Sequence, residues 1–217
     1  MAAVPPPTAE MIADHEKYLN ECLELIEKAP WKLSKEEPKI KFYTAPYTGS
    51  SFSMVKSVVS VPNAHEKLLN ILATIKTIDE NTPDEERDGE KECFLLKEFD
   101  DEHKSGYLYT SVFSGSRLVS DREFFMLRRH YVIDGKDIWL HCSIKGDDIC
   151  PPKKGNVRGN ITFQMYMAEK DPENEGADKL TFIVHADPCG KVPAMIYNAV
   201  AVSQGYSALK IREESLK

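Results

Sequence analysis

From Cys93 to His185 the pattern of apolar and polar positions is almost purely that of β-strands. The runs are C-F-L-L-K-E-F, Y-L-Y-T-S-V-F, F-F-M-L-R-R-H-Y-V-I, I-W-L-H-C-S-I, V-R-G-N-I-T-F-Q-M-Y-M and L-T-F-I-V-H. Short breaks at Lys104-Ser105-Gly106, Asp134-Gly135, Asp147-Asp148 and Glu175-Gly176 separate most of them, so neighbouring strands are expected to pair antiparallel. Ahead of this block, Ile40–Tyr47 and Phe52–Val61 read as two further strands joined by T-G-S-S, with Pro62 ending the second. Met11, His15, Tyr18, Cys22 and Leu25 recur at steps of four and three, which predicts a helix capped by Thr8 and running to about Ala29. A second helix is expected from Leu68, Leu69, Ile71, Leu72 and Ile75, opened by a capping box of Asn63 and Glu66. Asp79–Glu92 reads as an acidic solvent loop.

The chain ends in a different pattern. After a turn at Asp187-Pro188-Cys189-Gly190, no charged residue occurs from Val192 to Leu209, and Pro193 suits the first position of a helix. Met195, Ile196, Ala199, Val200, Ala201 and Val202 make that helix apolar nearly all round, so burial on every side is expected. Asn198, Ser203, Gln204 and Gly205 make it a poor transmembrane span. It is expected inside the protein, or covering an apolar space. Together these elements predict an α+β protein with one large curved antiparallel sheet, no internal repeat and no linker dividing it.

Composition narrows the function. A net charge of −7 argues against a nucleic-acid groove or a strongly polybasic membrane surface, so a neutral, apolar or small partner is expected. Cys22, Cys93, Cys142, Cys150 and Cys189 are odd in number and lack metal or disulfide spacing. Met1–Pro7 has neither a basic nor an apolar leader region, which makes a cytoplasmic location the default. The histidines stand at no nucleophile-elbow or metal spacing, and His185-Ala186-Asp187 and His141-Cys142 read as local hydrogen bonding; no enzyme, cofactor or metal is expected.

Two strands carry the candidate chemistry. In Val157–Met167 the residues Val157, Ile161, Phe163, Met165 and Met167 point one way. In Phe124–Ile133 both faces are apolar, and Arg128 and Arg129 fall on opposite faces, so one guanidinium enters an apolar interior and demands a partner there. Here V-S-D-R-E-F-F-M-L-R, P-P-K-K-G-N-V-R-G and D-P-C-G-K-V-P-A-M-I-Y-N resemble, in order and at family spacing, three segments of the START (StAR-related lipid-transfer) family. The resemblance covers about residues 107–217. It implies a helix-grip (START/Bet v 1-like) fold over residues 8–217, after a disordered tail at 1–7, in which a curved sheet grips a long C-terminal helix over a tunnel for one lipid.

By the same resemblance Arg122, Glu123 and Phe124 match one motif and Arg158 a structural arginine, while Asp187, Gly190, Pro193 and Asn198 set the geometry of a lid helix. Arg128 matches an arginine that meets either a polar headgroup or an internal acid. Sterol-binding members carry an acid where this chain has Tyr109, Thr110 and Ser111. The choline-cage positions look like Ser111, Met126 and Phe163, and a glycine is common where Cys189 stands; with no usual acid for Arg128, an anionic phosphate is favoured over a sterol. The lipid-contacting set expected is Arg128, Met126, Phe124, His130, Phe163 and Tyr109, with Met195, Ile196 and Ala199 from the helix. The lid and loop set is Gly115, Leu118, Val119, Pro193 and Asn198, with Leu118 and Val119 dipping into a membrane surface during transient contact. The expected protein is a monomeric lipid carrier without nucleic-acid partners; the alternative is a non-catalytic regulatory or chaperone-type module of the same fold with no cargo.

Overall fold

The computed structural model describes residues 3–87, 89–115 and 119–217, and in them the alternating runs pair into one ten-stranded sheet. Strands β1 (Lys32–Glu37), β2 (Ile40–Pro46) and β3 (Ser53–Pro62) follow helix α1 (Ala9–Lys28). Helices α2 (His65–Ala73) and α3 (Asp84–Arg87) precede β4 (Glu90–Glu98), β5 (Gly106–Val112), β6 (Arg122–Ile133) and β7 (Lys136–Ser143). The two-residue β8 (Val157–Arg158), then β9 (Asn160–Lys170) and β10 (Ala177–Asp187), complete the sheet. The chain closes with α4 (Ala194–Ala201), a 3₁₀ turn (Val202–Gly205) and α5 (Tyr206–Ser215). The order across the sheet is β1-β2-β3-β10-β9-β7-β6-β5-β4, antiparallel throughout, with β8 added parallel to β6. Pairing of β3 with β10 brings the early and late strands together, so both ends of the chain pack on the same sheet.

Alternation gives the sheet two apolar faces. One takes α1, with Leu19 and Cys22 packed on Met54, Leu140, Met165 and Ile183. The other takes α2 and the C-terminal helices, with Leu68, Leu72, Ala201 and Ala208 packed on Phe42, Val59, Phe182 and Val184. Thr8 caps α1 as expected, its Oγ1 accepting from the Met11 N–H at 3.2 Å. His15 on the inner face of α1 contacts the Tyr131 hydroxyl at 2.9 Å and the Leu140 carbonyl at 3.1 Å. Burial, reinforced by the Arg129 charge, pushes the His15 pKa down to about 3, so the ring is neutral.

Several expectations are corrected. The polar segment W-K-L-S-K-E-E holds the edge strand β1, whose side chains are nearly all exposed and therefore leave no hydrophobic alternation. Asn63 does not cap α2; it adopts φ 53° and its N–H donates to the Gly176 carbonyl. The Asp79–Glu92 stretch contains α3 and the start of β4. The expected Val157–Met167 strand breaks at Gly159, where a Cβ would lie 2.4 Å from Phe124 Cε1. Val4, in the segment read as a disordered tail, packs against Tyr107, Phe125 and Leu127.

The C-terminal segment is the long helix expected, tightened to a 3₁₀ turn at Val202–Gly205 between α4 and α5. At that turn Gly205 approaches the sheet so closely that a Cβ would lie 2.8 Å from Phe42 Cδ1, and Ser57 Oγ donates to the Gly205 carbonyl at 2.8 Å. The expectation of burial on every side is corrected: Met195, Ile196 and Val200 are 81%, 56% and 60% exposed. A helix lying over a hollow has one inward face, and its remaining apolar residues point outward.

Candidate functional site

The three motifs that stand far apart in sequence meet at one corner of the sheet. Arg122 Nε donates to the Pro188 carbonyl at 3.0 Å and Nη2 to the Cys189 carbonyl at 3.2 Å, while Nη1 donates to the Ser120 carbonyl. It thereby fixes the turn that launches α4. Glu123 turns the opposite way, fully buried, and its carboxylate takes Tyr109 Oη, Asn156 Nδ2, Arg158 Nε and the Lys153 N–H. Burial alone would raise its pKa, but these donors offset that and hold it below the usual carboxylate value. Phe124, the third residue of the motif, turns back to the helix face and rests on Gly159. The turn itself carries two consecutive left-handed residues, Cys189 at φ 54° and Gly190 at φ 67°, with the Cys189 N–H donating to Asp187 Oδ1 at 2.7 Å.

Beside this corner, between the sheet and the α4–α5 segment, lies a cavity of about 390 Å³. Phe124, Met126, Ile161, Phe182, Val184 and Ala186 supply apolar wall. Thr110, Gln164, Tyr197, Ser203, Gln204 and Ser207 supply uncharged polar groups. Asn198 latches α4 over it: Oδ1 accepts from the Ser53 N–H at 2.9 Å and Nδ2 donates to the Ser51 carbonyl at 3.0 Å. Tyr197 packs edge-on against Phe52, ring centres 5.0 Å apart. A larger hollow of about 620 Å³ lies on the other face, between α1 and the 143–147 segment, but Glu10, Asp14, Lys145, Asp147 and Arg158 line it. Its walls suit an apolar cargo less well.

Of the expected lipid-contacting residues, Phe124 and Met126 line the cavity. Phe163 lies on the opposite face under α1, edge-on to Tyr47 at 5.6 Å. The register shift at His185/Ala186 is the reason: it inverts the phase of β9, so Ile161 faces the cavity and Phe163 does not. Tyr109 also faces away, held by Glu123. His130 stacks on Trp139 at 4.6 Å and pairs with Asp137 at 2.8 Å. Met195, Ile196 and Ala199 lie on the outer side of α4.

Arg128 is fully buried, as its strand position required, yet it meets neither an acid nor the cavity. Nη2 donates to the Leu72 and Ala73 carbonyls at 3.0 and 2.7 Å, at the negative end of α2, and Cζ lies 3.4 Å from the Trp139 ring centre. Nε and Nη1 have no partner among the described residues. Burial lowers its pKa to about 10, which leaves it charged at neutral pH.

None of the described lid and loop residues lines the cavity. Gly115 adopts φ 68° and Val119 is 40% exposed, in the β5–β6 loop beside the turn that Arg122 holds; Leu118 lies outside the described residues. Pro193 is the residue before α4 rather than its first, its carbonyl accepting from the Ile196 N–H at 3.0 Å. Sequence reasoning missed Tyr197, Gln164, Gln204 and Ser207. Tyr197, Ala201 and Gln204 recur at helical steps, and this inward row was the available signal.

A curved antiparallel sheet gripping C-terminal helices over a cavity defines a helix-grip domain. A family model described as START domain matches residues 14–216, and the chain belongs to that family. Among solved structures it is similar to human StAR-related lipid transfer protein 5, with a TM-score of 0.78 at 15% identity, covering 95% of this chain and 96% of that one. Human STARD10 matches with a TM-score of 0.71 at 19% identity, covering 100% and 82%. A STAR-related lipid transfer protein fragment from Xanthomonas axonopodis matches with a TM-score of 0.67 at 21% identity, covering 86% and 99%. No curated protein matches the sequence.

Proposed function

We propose that this protein binds one lipid in the cavity beneath α4 and exchanges it at a membrane surface by opening that helix. The observation that carries the reading is a helix whose two sides differ in purpose. Its inner side faces a cavity of about 390 Å³ whose wall includes Phe124, Met126, Ile161, Phe182, Val184 and Ala186, and its outer side leaves Met195, Ile196 and Val200 uncovered. Phe113 and Val119, 49% and 40% exposed, add apolar surface on the loop that Arg122 ties to the same corner. Apolar surface at the edge of a cavity marks an interaction site. A lipid entering the cavity gains about 0.8 kcal/mol per buried CH₂, comparable to what it had in the bilayer, so transfer requires contact and opening rather than a large difference in affinity. No helix among the described residues is long and apolar enough to cross a membrane, which fits contact at the surface.

The names of the similar structures, lipid transfer proteins, support the same reading. Native mass spectrometry of the purified protein, together with lipid transfer between liposomes, tests it. A one-to-one lipid complex and protein-dependent transfer are expected. A protein that retains no lipid and moves none would instead be the cargo-free regulatory module.

A further inference from the structure

We infer that His185 is the positioning residue of the lid: from the opposite face of the sheet it braces the loop to which α4 is latched, and charging its ring releases that helix. The inference rests on the carrier reading above and adds how the cavity is kept shut.

Placement comes first. His185 stands on β10 and is 3% exposed, but it does not line the cavity. Its ring lies among aromatics on the α1 side, its centre 4.2 Å from that of Tyr47 and 6.0 Å from that of Phe163. Nδ1 lies 2.8 Å from Thr162 Oγ1 on β9, and Nε2 lies 3.0 Å from Ser50 Oγ in the β2–β3 turn. Thr162 belongs to the sheet and Ser50 to a loop, so the ring ties that loop to the sheet.

The same turn holds the lid. Gly49 at φ 80° reverses the chain, and the Ser50 N–H closes the turn on the Tyr47 carbonyl at 3.1 Å. The Ser50 hydroxyl also accepts from the Phe52 N–H at 3.0 Å. The next residues grasp α4: Asn198 spans the Ser51 carbonyl and the Ser53 N–H, and the Phe52 ring meets Tyr197. Residue 50 therefore faces His185 while residues 51–53 face α4. Freeing Ser50 loosens the partners of Asn198.

Charge makes the brace responsive. Asp187 on the same strand and the Phe52 carbonyl favour a charged ring. Tyr47 spends its hydroxyl on Glu21 of α1 at 2.8 Å, and β9 presents the uncharged Thr162 and Phe163. Burial outweighs these groups and pushes the His185 pKa down to about 4. Once the turn lifts away the ring meets water and its pKa returns toward 6.5. The closed form has the lower value, so the brace is complete above about pH 6.5 and fades as pH falls toward 4. Between pH 7 and pH 5 the open form should gain about 20-fold.

The test is hydrogen exchange by mass spectrometry on the full-length protein without added lipid, corrected for the intrinsic pH dependence of exchange. Ser50→Ala and His185→Leu should each speed exchange in residues 194–201 about 5-fold, the worth of one hydrogen bond, and leave residues 206–215 at the wild-type rate. Neither should add to Asn198→Ala, because both act through its partners. From pH 7 to pH 5 the wild-type 194–201 segment should open about 20-fold more than the 206–215 control. His185→Gln, whose amide reaches Ser50 but does not titrate, should keep the protection at pH 7 and lose the acid response. Ser50→Ala alters no buried group, so it stands if a His185 variant fails to fold. Unchanged exchange in Ser50→Ala, additivity with Asn198→Ala, or an acid response that survives in His185→Gln overturns the inference and leaves the carrier reading intact. The expected responses in a protein that moves no lipid between liposomes overturn the carrier reading and leave the brace.

Discussion

Replacing Asn198 by alanine isolates the opening of α4 from the stability of everything else. The Asn198 side chain makes two hydrogen bonds to the backbone of the 51–53 segment, at 2.9 and 3.0 Å, and both vanish in Asn198→Ala. At about 1 kcal/mol each, their loss favours the unlatched state by about 2 kcal/mol, or about 30-fold. The effect should stay local because α5 has its own anchors. Arg212 Nε donates to the Ser60 carbonyl at 2.8 Å, Tyr206 packs on Phe42 at 4.8 Å, and Ser57 pins the Gly205 carbonyl between the two helices. Hydrogen exchange followed by mass spectrometry reads the two halves separately. Peptides from residues 194–201 should exchange about 30-fold faster in the variant, and peptides from 206–215 at the wild-type rate. If opening limits exchange of cargo, transfer between liposomes accelerates in parallel. Unchanged protection in 194–201, or equal loosening of both halves, would refute the reasoning, since it would mean that the latch is idle or that the two helices move as one rod.

Arg128→Leu should cost about 1–3 kcal/mol in urea unfolding, from two uncapped carbonyls at the end of α2 offset in part by removing a buried charge, while lipid occupancy persists; lost occupancy at unchanged stability would return Arg128 to the headgroup. His15 and His185 have folded pKa values near 3 and 4, below the unfolded value of about 6.5, so their stabilising effect is complete above that value and fades as pH falls toward the folded values. Urea unfolding should show about 2 kcal/mol lost for each of these two histidines between pH 7 and pH 5, and His15→Gln should lose the His15 share while those of His185 and of His141, whose pKa burial also holds well below its ordinary value, remain; an undiminished pH dependence in that variant would rule out His15 as a source. Cys189→Gly relieves about 1–2 kcal/mol of left-handed strain at φ 54° and returns part of it as unfolded-state entropy, for a net gain of about 0.5–1 kcal/mol and a melting point about 2 °C higher; a lower melting point would show that the side chain contributes packing that outweighs the strain.

The fold was legible because its signal is redundant. Long apolar runs separated by short turns follow one another from Cys93 to His185, some alternating as in β9 and some buried on both faces as in β6 and β10, and an error at one position leaves the succession intact. The three motif segments were legible for a related reason, since each contributes one side of a single corner: Arg122 to the turn at 188–189, Glu123 to Arg158, Phe124 to Gly159. What failed was a strand without alternation, β1, and a cap assigned to Asn63, which instead adopts φ 53° and donates its backbone N–H to the Gly176 carbonyl.

The site was less legible because facing depends on phase, and phase does not survive an irregularity. Along β6 the period holds, so Phe124 and Met126 were placed in the cavity from the sequence alone. Along β9 one shifted pair moves Phe163 to the α1 side and leaves Gln164 on the cavity side, and no residue type near 161–163 announces the shift. Arg128 shows the other limit. Its burial followed from the two apolar faces of β6, but its partner is the end of α2, some 55 residues earlier in the chain. A buried cation implies compensation of its charge, and compensation can come from a helix terminus and an aromatic face as well as from a ligand. Arg128, occupied at the end of α2, therefore lends the cavity no charge, although its burial was legible from the strand alone.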